Sequence, residues 1–128
     1  MFKHIPNPFI PTISDGVVVE TGEFTTIHVS GQVGHEKILK VTAESFEEEA
    51  RICFANVAKV LERAGAGMKD VVRITCYLTD LADYAAYSKA RGVAFPVNPP
   101  ASATVQVAAL LANARLEIDA VAVIKTKG

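Results

Sequence analysis

An α+β fold, two helices packed on one face of a single mixed sheet, follows from three observations on this sequence. Short segments with period-two alternation recur along it, a long amphipathic stretch occupies its middle, and a second helical stretch follows one strand later. The resulting order is strand–strand–helix–strand–helix–strand–strand, which buries both helical stripes against one sheet. At 128 residues the chain builds one sizeable core, and it reads as one domain over residues 1–128.

Val17, Val18 and Val19 form the first strand, and Gly22 with Glu23 marks a turn into "TTIHVSG". There Ile27 and Val29 face one way and Thr26, His28 and Ser30 the other. The segment "GQVGHEKILKVT" reads as a loop. Thr42 or Ser45 caps the first helix, and Ser45 with Glu48 fits a capping box. Phe46, Ala50, Cys53, Val57, Val60, Leu61 and Ala64 recur at helical spacing, Glu47 and Arg51 sit i, i+4 on the wet side, and Gly65 and Gly67 stop the helix.

"VVRITCYL" follows, with Val72, Ile74, Cys76 and Leu78 on one face and Arg73, Thr75 and Tyr77 on the other. A strand–helix–strand crossover makes its two strands parallel or near neighbours. Asp80 caps the second helix, "LADYAAYSKARGVAF", which Pro96 ends. The strand in "PVNPPASATVQVAAL" places Ser102, Thr104 and Gln106 on one side. After a loop around "LANA" comes "RLEIDAVAVI", apolar on both faces from Ala120 onward, as a central strand is.

On this reading the helices cover Ile27, Val29, Ile74, Cys76, Val105 and Val107. The opposite face carries Thr26, His28, Arg73, Thr75, Tyr77, Ser102, Thr104, Gln106 and Glu117 with Val121 and Val123. That face is too apolar for water and too polar for a monomer core, so a partner subunit is expected to cover it.

Composition narrows the function classes. Half the residues are hydrophobic and the formal net charge is −1, which argues against a nucleic-acid partner. Cys53 and Cys76 read as reduced core residues, and no run is long and apolar enough to span a membrane. "MFKHIPNPFIPT" lacks the apolar core of a signal peptide, so the expected location is cytoplasmic. His4, His28 and His35 lack metal-ligand spacing, His28 reading instead as a structural histidine hydrogen-bonded at a subunit seam, and "GQVG" lacks the pattern of a phosphate loop.

"VSGQVG", "ANVAKVLERAGAGMKDVVRITCYLTDLADYAAY", "NPPASATVQVAAL" and "LEIDAVAVI", in that order from Val17 to Ile124, are similar to the reactive intermediate deaminase family, also called Rid or YjgF. The resemblance implies a chorismate-mutase-like fold and a homotrimer with three clefts between subunits. It also implies hydrolysis of enamines and imines to a carbonyl compound and ammonia, with neither metal nor cofactor. Glu117 matches the family's acidic residue in the last strand and Gly31 a glycine that lets ligand approach the backbone. Ser88 stands where an asparagine is common, and Asp15 where an aromatic residue is common. In the family's Pro-Ala-Arg-Ser/Thr stretch the register reads Pro100-Ala101-Ser102-Ala103, so Ser102 replaces the arginine that clamps a substrate carboxylate.

Glu117 is accordingly the expected catalytic group, positioning water or moving a proton. Asp119, two residues on, shares its face and raises its affinity for protons; pairing of both with Arg115 and Arg73 is the plainer alternative. Ser30, Gly31, Ser88, Ser102 and Thr104 are expected to line the substrate cleft. A hydroxyl lacks the charge and fork of a guanidinium, so the expected small-molecule ligand differs from the family's 2-imino acids. Arg91 reads as a surface arginine, with a cleft role as the alternative. Two other functions stand beside the deaminase: a non-catalytic small-ligand-binding or interaction trimer, and the endoribonuclease or translation inhibitor that some relatives are labelled, which the neutral charge disfavours.

Overall fold

The computed structural model describes residues 1–37 and 40–127. Six strands form one sheet: β1 (Phe2–Pro6), β2 (Ser14–Thr21), β3 (Phe24–Val33), β4 (Val71–Leu78), β5 (Ala101–Gln106) and β6 (Leu116–Lys125). Their order is β1-β2-β3-β6-β4-β5. All neighbours are antiparallel except β4 and β5. The sheet is therefore mixed, and the apolar last strand is central. β3 and β4 both run antiparallel to β6, so they are parallel to each other with one strand between them.

Helix α1 (Phe46–Arg63) and helix α2 (Tyr84–Ala94) lie on one face of the sheet and pack against each other. The stripe from Phe46 to Leu61 is buried against Ile27, Ile74, Cys76, Leu78, Leu116 and Ile118. Phe54 of α1 stacks on Tyr87 of α2 with centroids 6.1 Å apart and meets Phe95 edge-on at 5.9 Å, tying the helices together through aromatic contacts. Ser45 accepts from the Glu48 amide, as expected of the cap. At the far end Gly65 adopts φ 81°, and the amides of Gly65 and Ala66 bond the carbonyls of Glu62 and Leu61, a Schellman closure.

One buried ion pair anchors the start of β6. The side chain of Glu49 is fully buried and accepts from the Arg115 amide at 2.7 Å and from its Nε at 2.6 Å, while Arg115 also donates to the carbonyls of Ala43 and Glu44. With three hydrogen bonds donated by the guanidinium and one by the Arg115 amide the pair is fixed, which offsets the cost of burying the carboxylate.

Several details differ from the sequence reading. β1 precedes the first strand expected from the sequence, which begins at Val17. Only Ile5 of its five residues is buried, so this edge strand has no alternation to detect, and Pro6 sits at its end. β3 continues through Val33 instead of ending in a loop, with an irregular register between Val29 and Gln32. The rest of the expected loop includes residues 38 and 39, which lie outside the described residues. A bulge between Val71 and Arg73 buries Val71 and leaves Val72 48% exposed. Arg51 pairs with Glu48 at i, i+3 and not with Glu47. Asp80 caps a short 3₁₀ turn, Leu81–Asp83, that precedes α2.

The largest correction concerns β5. Ser102, Thr104 and Gln106 pair with Ile74, Cys76 and Leu78, so they share the helix-covered face and not the open one. The Leu81 amide, just before α2, donates to Gln106 Oε1. The open face instead receives Ala103 and Val105, the latter 43% exposed. β5 is an edge strand that extends past the helices, so its helix-side positions stay wet enough for short polar side chains.

Candidate functional site

The expected site residues fall into two groups on opposite faces of the sheet. Glu117 lies on the open face of β6, opposite Val33 on β3 and Tyr77 on β4. Its carboxylate fills the space beside Gly31, where a Cβ would come 2.9 Å from Glu117 Cδ and nearer still to Oε2. Glycine at this irregular point of β3 is therefore a steric requirement of Glu117. Ser30, its neighbour, donates to the Ser14 carbonyl on β2 and closes the same corner.

Partial burial, with the like charge of Asp119 second, raises the affinity of Glu117 for its proton above that of an ordinary carboxylate. Asp119 shares the open face and accepts from the Tyr77 hydroxyl at 2.9 Å, which holds that phenol protonated. The alternative of neutralisation by arginine does not hold for Arg115, whose guanidinium is taken up by Glu49. Among the described residues no ion pair involves Glu117 or Asp119. A partly desolvated carboxylate without a cation among the described residues keeps its proton to higher pH than an exposed one, which suits a general acid or base.

The second group lies on the helix side, where α2 meets β5. Arg91 donates to Ser102 Oγ at 3.3 Å, to Ser88 Oγ at 3.3 Å and to the Tyr84 hydroxyl at 3.1 Å. Ser88 and Ser102 are thus brought together around one guanidinium, and Thr104 follows two residues later on the same face of β5. Arg91 faces this cluster of hydroxyls and not bulk solvent alone. Tyr84, Ser88 and Arg91 recur at i, i+4 and i+7 of α2, a spacing visible in the sequence that apolar periodicity passes over.

The remaining candidates have structural partners. Asp15 is buried, pairs with Arg63 at 2.7 Å and accepts from Asn7 at 2.8 Å, joining the β1–β2 connection to the end of α1. Cys53 and Cys76 are free and buried. Burial pushes both thiols up, Cys76 to about 12, so they remain neutral hydrophobes and not nucleophiles. His28 is exposed on the open face opposite Val121. Among the described residues no cluster of three His, Cys, Asp or Glu has the form of a metal site. Among the described residues no helix is long and apolar enough to cross a membrane.

A six-stranded mixed sheet with two helices on one face is the YjgF-like sandwich, and residues 14–124 match the family described as Endoribonuclease L-PSP. The chain belongs to this family, which is the reactive intermediate deaminase family that the motifs resemble. Protein DfrA of Myxococcus xanthus is 37% identical over 86% of this chain and 83% of its own length. The 2-iminobutanoate/2-iminopropanoate deaminase of Rattus norvegicus is 36% identical over 77% of this chain and 72% of its own. The crystal structure of RidA from a Psychrobacter species superposes with a TM-score of 0.79 at 32% identity, covering 94% of both chains.

Proposed function

We propose that this protein hydrolyses an imine or enamine to a carbonyl compound and ammonia, at clefts between three identical subunits. Glu117 is the catalytic group. As a carboxylate it takes a proton from the attacking water while the water oxygen bonds to the imine carbon. It returns that proton to the nitrogen, which has taken the C=N electron pair, and so gives a carbinolamine. The same carboxylate then carries the carbinolamine's hydroxyl proton to that nitrogen as the carbon–nitrogen bond breaks and the oxygen's electron pair closes the carbonyl. One water is consumed and one ammonia leaves, so no redox partner or group acceptor enters the balance.

The observation that carries this reading is the carboxylate of Glu117, partly desolvated, seated against Gly31 and without a cation among the described residues. The relatives named as imine deaminases support the same chemistry. The homotrimer is supported by the two groups of site residues, which the sheet separates within one chain. The α2–β5 edge of one subunit, with Ser88, Ser102 and Thr104, reaches Glu117, Gly31 and Ser30 only if they belong to a neighbour. The exposed flank of valines and short polar groups on the open face supplies the surface for that contact. A cytoplasmic location accords with two buried thiols kept free. With Ser102 at the position of the family's arginine, the substrate is held differently from the small 2-imino acids those relatives are named for.

The test is ammonia release from a panel of freshly generated imines, with and without purified protein. Acceleration by the wild type and its loss in Glu117→Ala are expected. A wild type that leaves every imine decaying at its uncatalysed rate excludes the hydrolase and leaves a ligand-binding trimer.

A further inference from the structure

Arg91 lies on the wall of an open pocket of about 440 Å³, with Ser88, Gly92, Phe95, Pro99, Pro100 and Ser102 around it. It is the one charged residue among these. Its guanidinium carbon sits 5.6 Å from the centroid of Tyr84 and 5.1 Å from that of Tyr87, which fixes the plane of the fork. Among the described residues its partners are hydroxyls only, and no carboxylate pairs with it.

Ser88, Ser102 and Tyr84 each accept from Arg91 and keep an O–H to donate, and the buried Tyr87 hydroxyl lies beside Ser102 and Cys76. Guanidinium and hydroxyls thus form a cluster of donors that faces the pocket with no carboxylate paired to it among the described residues. A bound anion completes it: the guanidinium supplies two parallel donors and the serine hydroxyls turn their hydrogens toward the same oxygens.

We propose that Arg91 is the anion anchor of this protein, binding the carboxylate of a small acid whose apolar body lies against Phe95, Pro99 and Pro100. A single positive charge with neutral donors suits a monoanion. A phosphate dianion calls for a second cation, and the pocket lining offers none. Resting on the deaminase reading, the inference makes the substrate an acidic imine held from α2 and not from β5. The departure at Ser102 then changes how the acid is gripped and not whether it is an acid.

The experiment titrates 2-oxobutanoate, its neutral counterpart 2-butanone, and inorganic phosphate into the wild type, Arg91→Gln and Arg91→Lys, reading affinity by calorimetry. The keto acid is expected to bind the wild type, and Arg91→Gln roughly 10- to 100-fold more weakly, the size of a lost charged hydrogen-bond pair. Arg91→Lys keeps the charge without the fork and is expected to fall between, which preserves the test if Arg91→Gln does not fold. The ketone is expected to bind weakly and equally throughout. Equal keto-acid affinity in wild type and a folded Arg91 variant, or a preference for phosphate, overturns the proposal. Keto-acid binding that depends on Arg91 in a protein that hydrolyses no imine upholds the anchor and sinks only the hydrolase.

Discussion

Glu117 and Asp119 illustrate how two identical functional groups acquire different duties from their surroundings. Asp119 accepts from Tyr77 and has that bond to stabilise its charge, whereas Glu117 has Gly31 beside it and loses water without gaining a donor among the described residues. Glu117 must be ionised to act as a base, so activity is expected to fall as pH drops through its raised value. The acid limb of kcat/KM should therefore stand above the usual carboxylate range. Asp119→Asn removes the neighbouring charge and should move that limb to lower pH in a measured rate profile, because less repulsion favours the ionised form.

Stability carries the opposite sign. A folded-state affinity for protons above the unfolded value gives a contribution fully present below the unfolded carboxylate's range and lost as pH rises through the folded value. Glu117→Gln cannot ionise and escapes that loss. We expect turnover to drop about 10²- to 10⁴-fold while the melting midpoint at neutral pH holds or rises by about 2 °C, a small gain because the group is only half-buried and screened. Calorimetry beside an ammonia assay checks both.

The end of β3 shows how one strand serves both a site and the core. Gly31 and Gly34 each leave no room for a Cβ, but the obstructing atoms differ. At Gly31 the obstacle is the far end of the Glu117 side chain, which rotates away; at Gly34 it is the Glu49 backbone, with its carbonyl carbon at 3.0 Å. Gly31→Ala is therefore expected to fold normally and lose most activity, whereas Gly34→Ala should cost about 1–3 kcal/mol in denaturant unfolding, the range for overpacking. A Gly31→Ala protein with full activity would show that the seat of the Glu117 carboxylate is irrelevant. α2 has the same double role: Tyr87 turns into the core against Phe54, while Tyr84, Ser88 and Arg91 face the edge of β5.

Assembly is the level at which the two halves of the site meet or fail to meet. Val121 sits near the middle of the open face, paired with His28 on one side and Arg73 on the other. Val121→Glu places a charge where the neighbour is expected to dock but where a lone subunit meets water. Light scattering should find wild type at three times the mass of the chain and the variant at one, still folded by circular dichroism and inactive. A variant that stays trimeric, or a monomer that retains activity, contradicts a shared cleft.

The sheet, the two helices and their common side were legible in the order of residues, because period-two and helical spacings are local and the α1 stripe is long. So was the central place of β6, whose two apolar faces no edge position tolerates. Packing alone assigned the rest. Alternation divides β5 into two faces without saying which one the helices cover, and Ala101, Ala103 and Val105 differ too little in size and polarity from Ser102 and Thr104 to decide it. Arg91 stayed ambiguous for the same reason, since its partners lie 3 to 11 positions away on two elements and meet only once α2 closes over the sheet's edge. Spacing fixes what shares a side; contact between distant elements fixes which side that is.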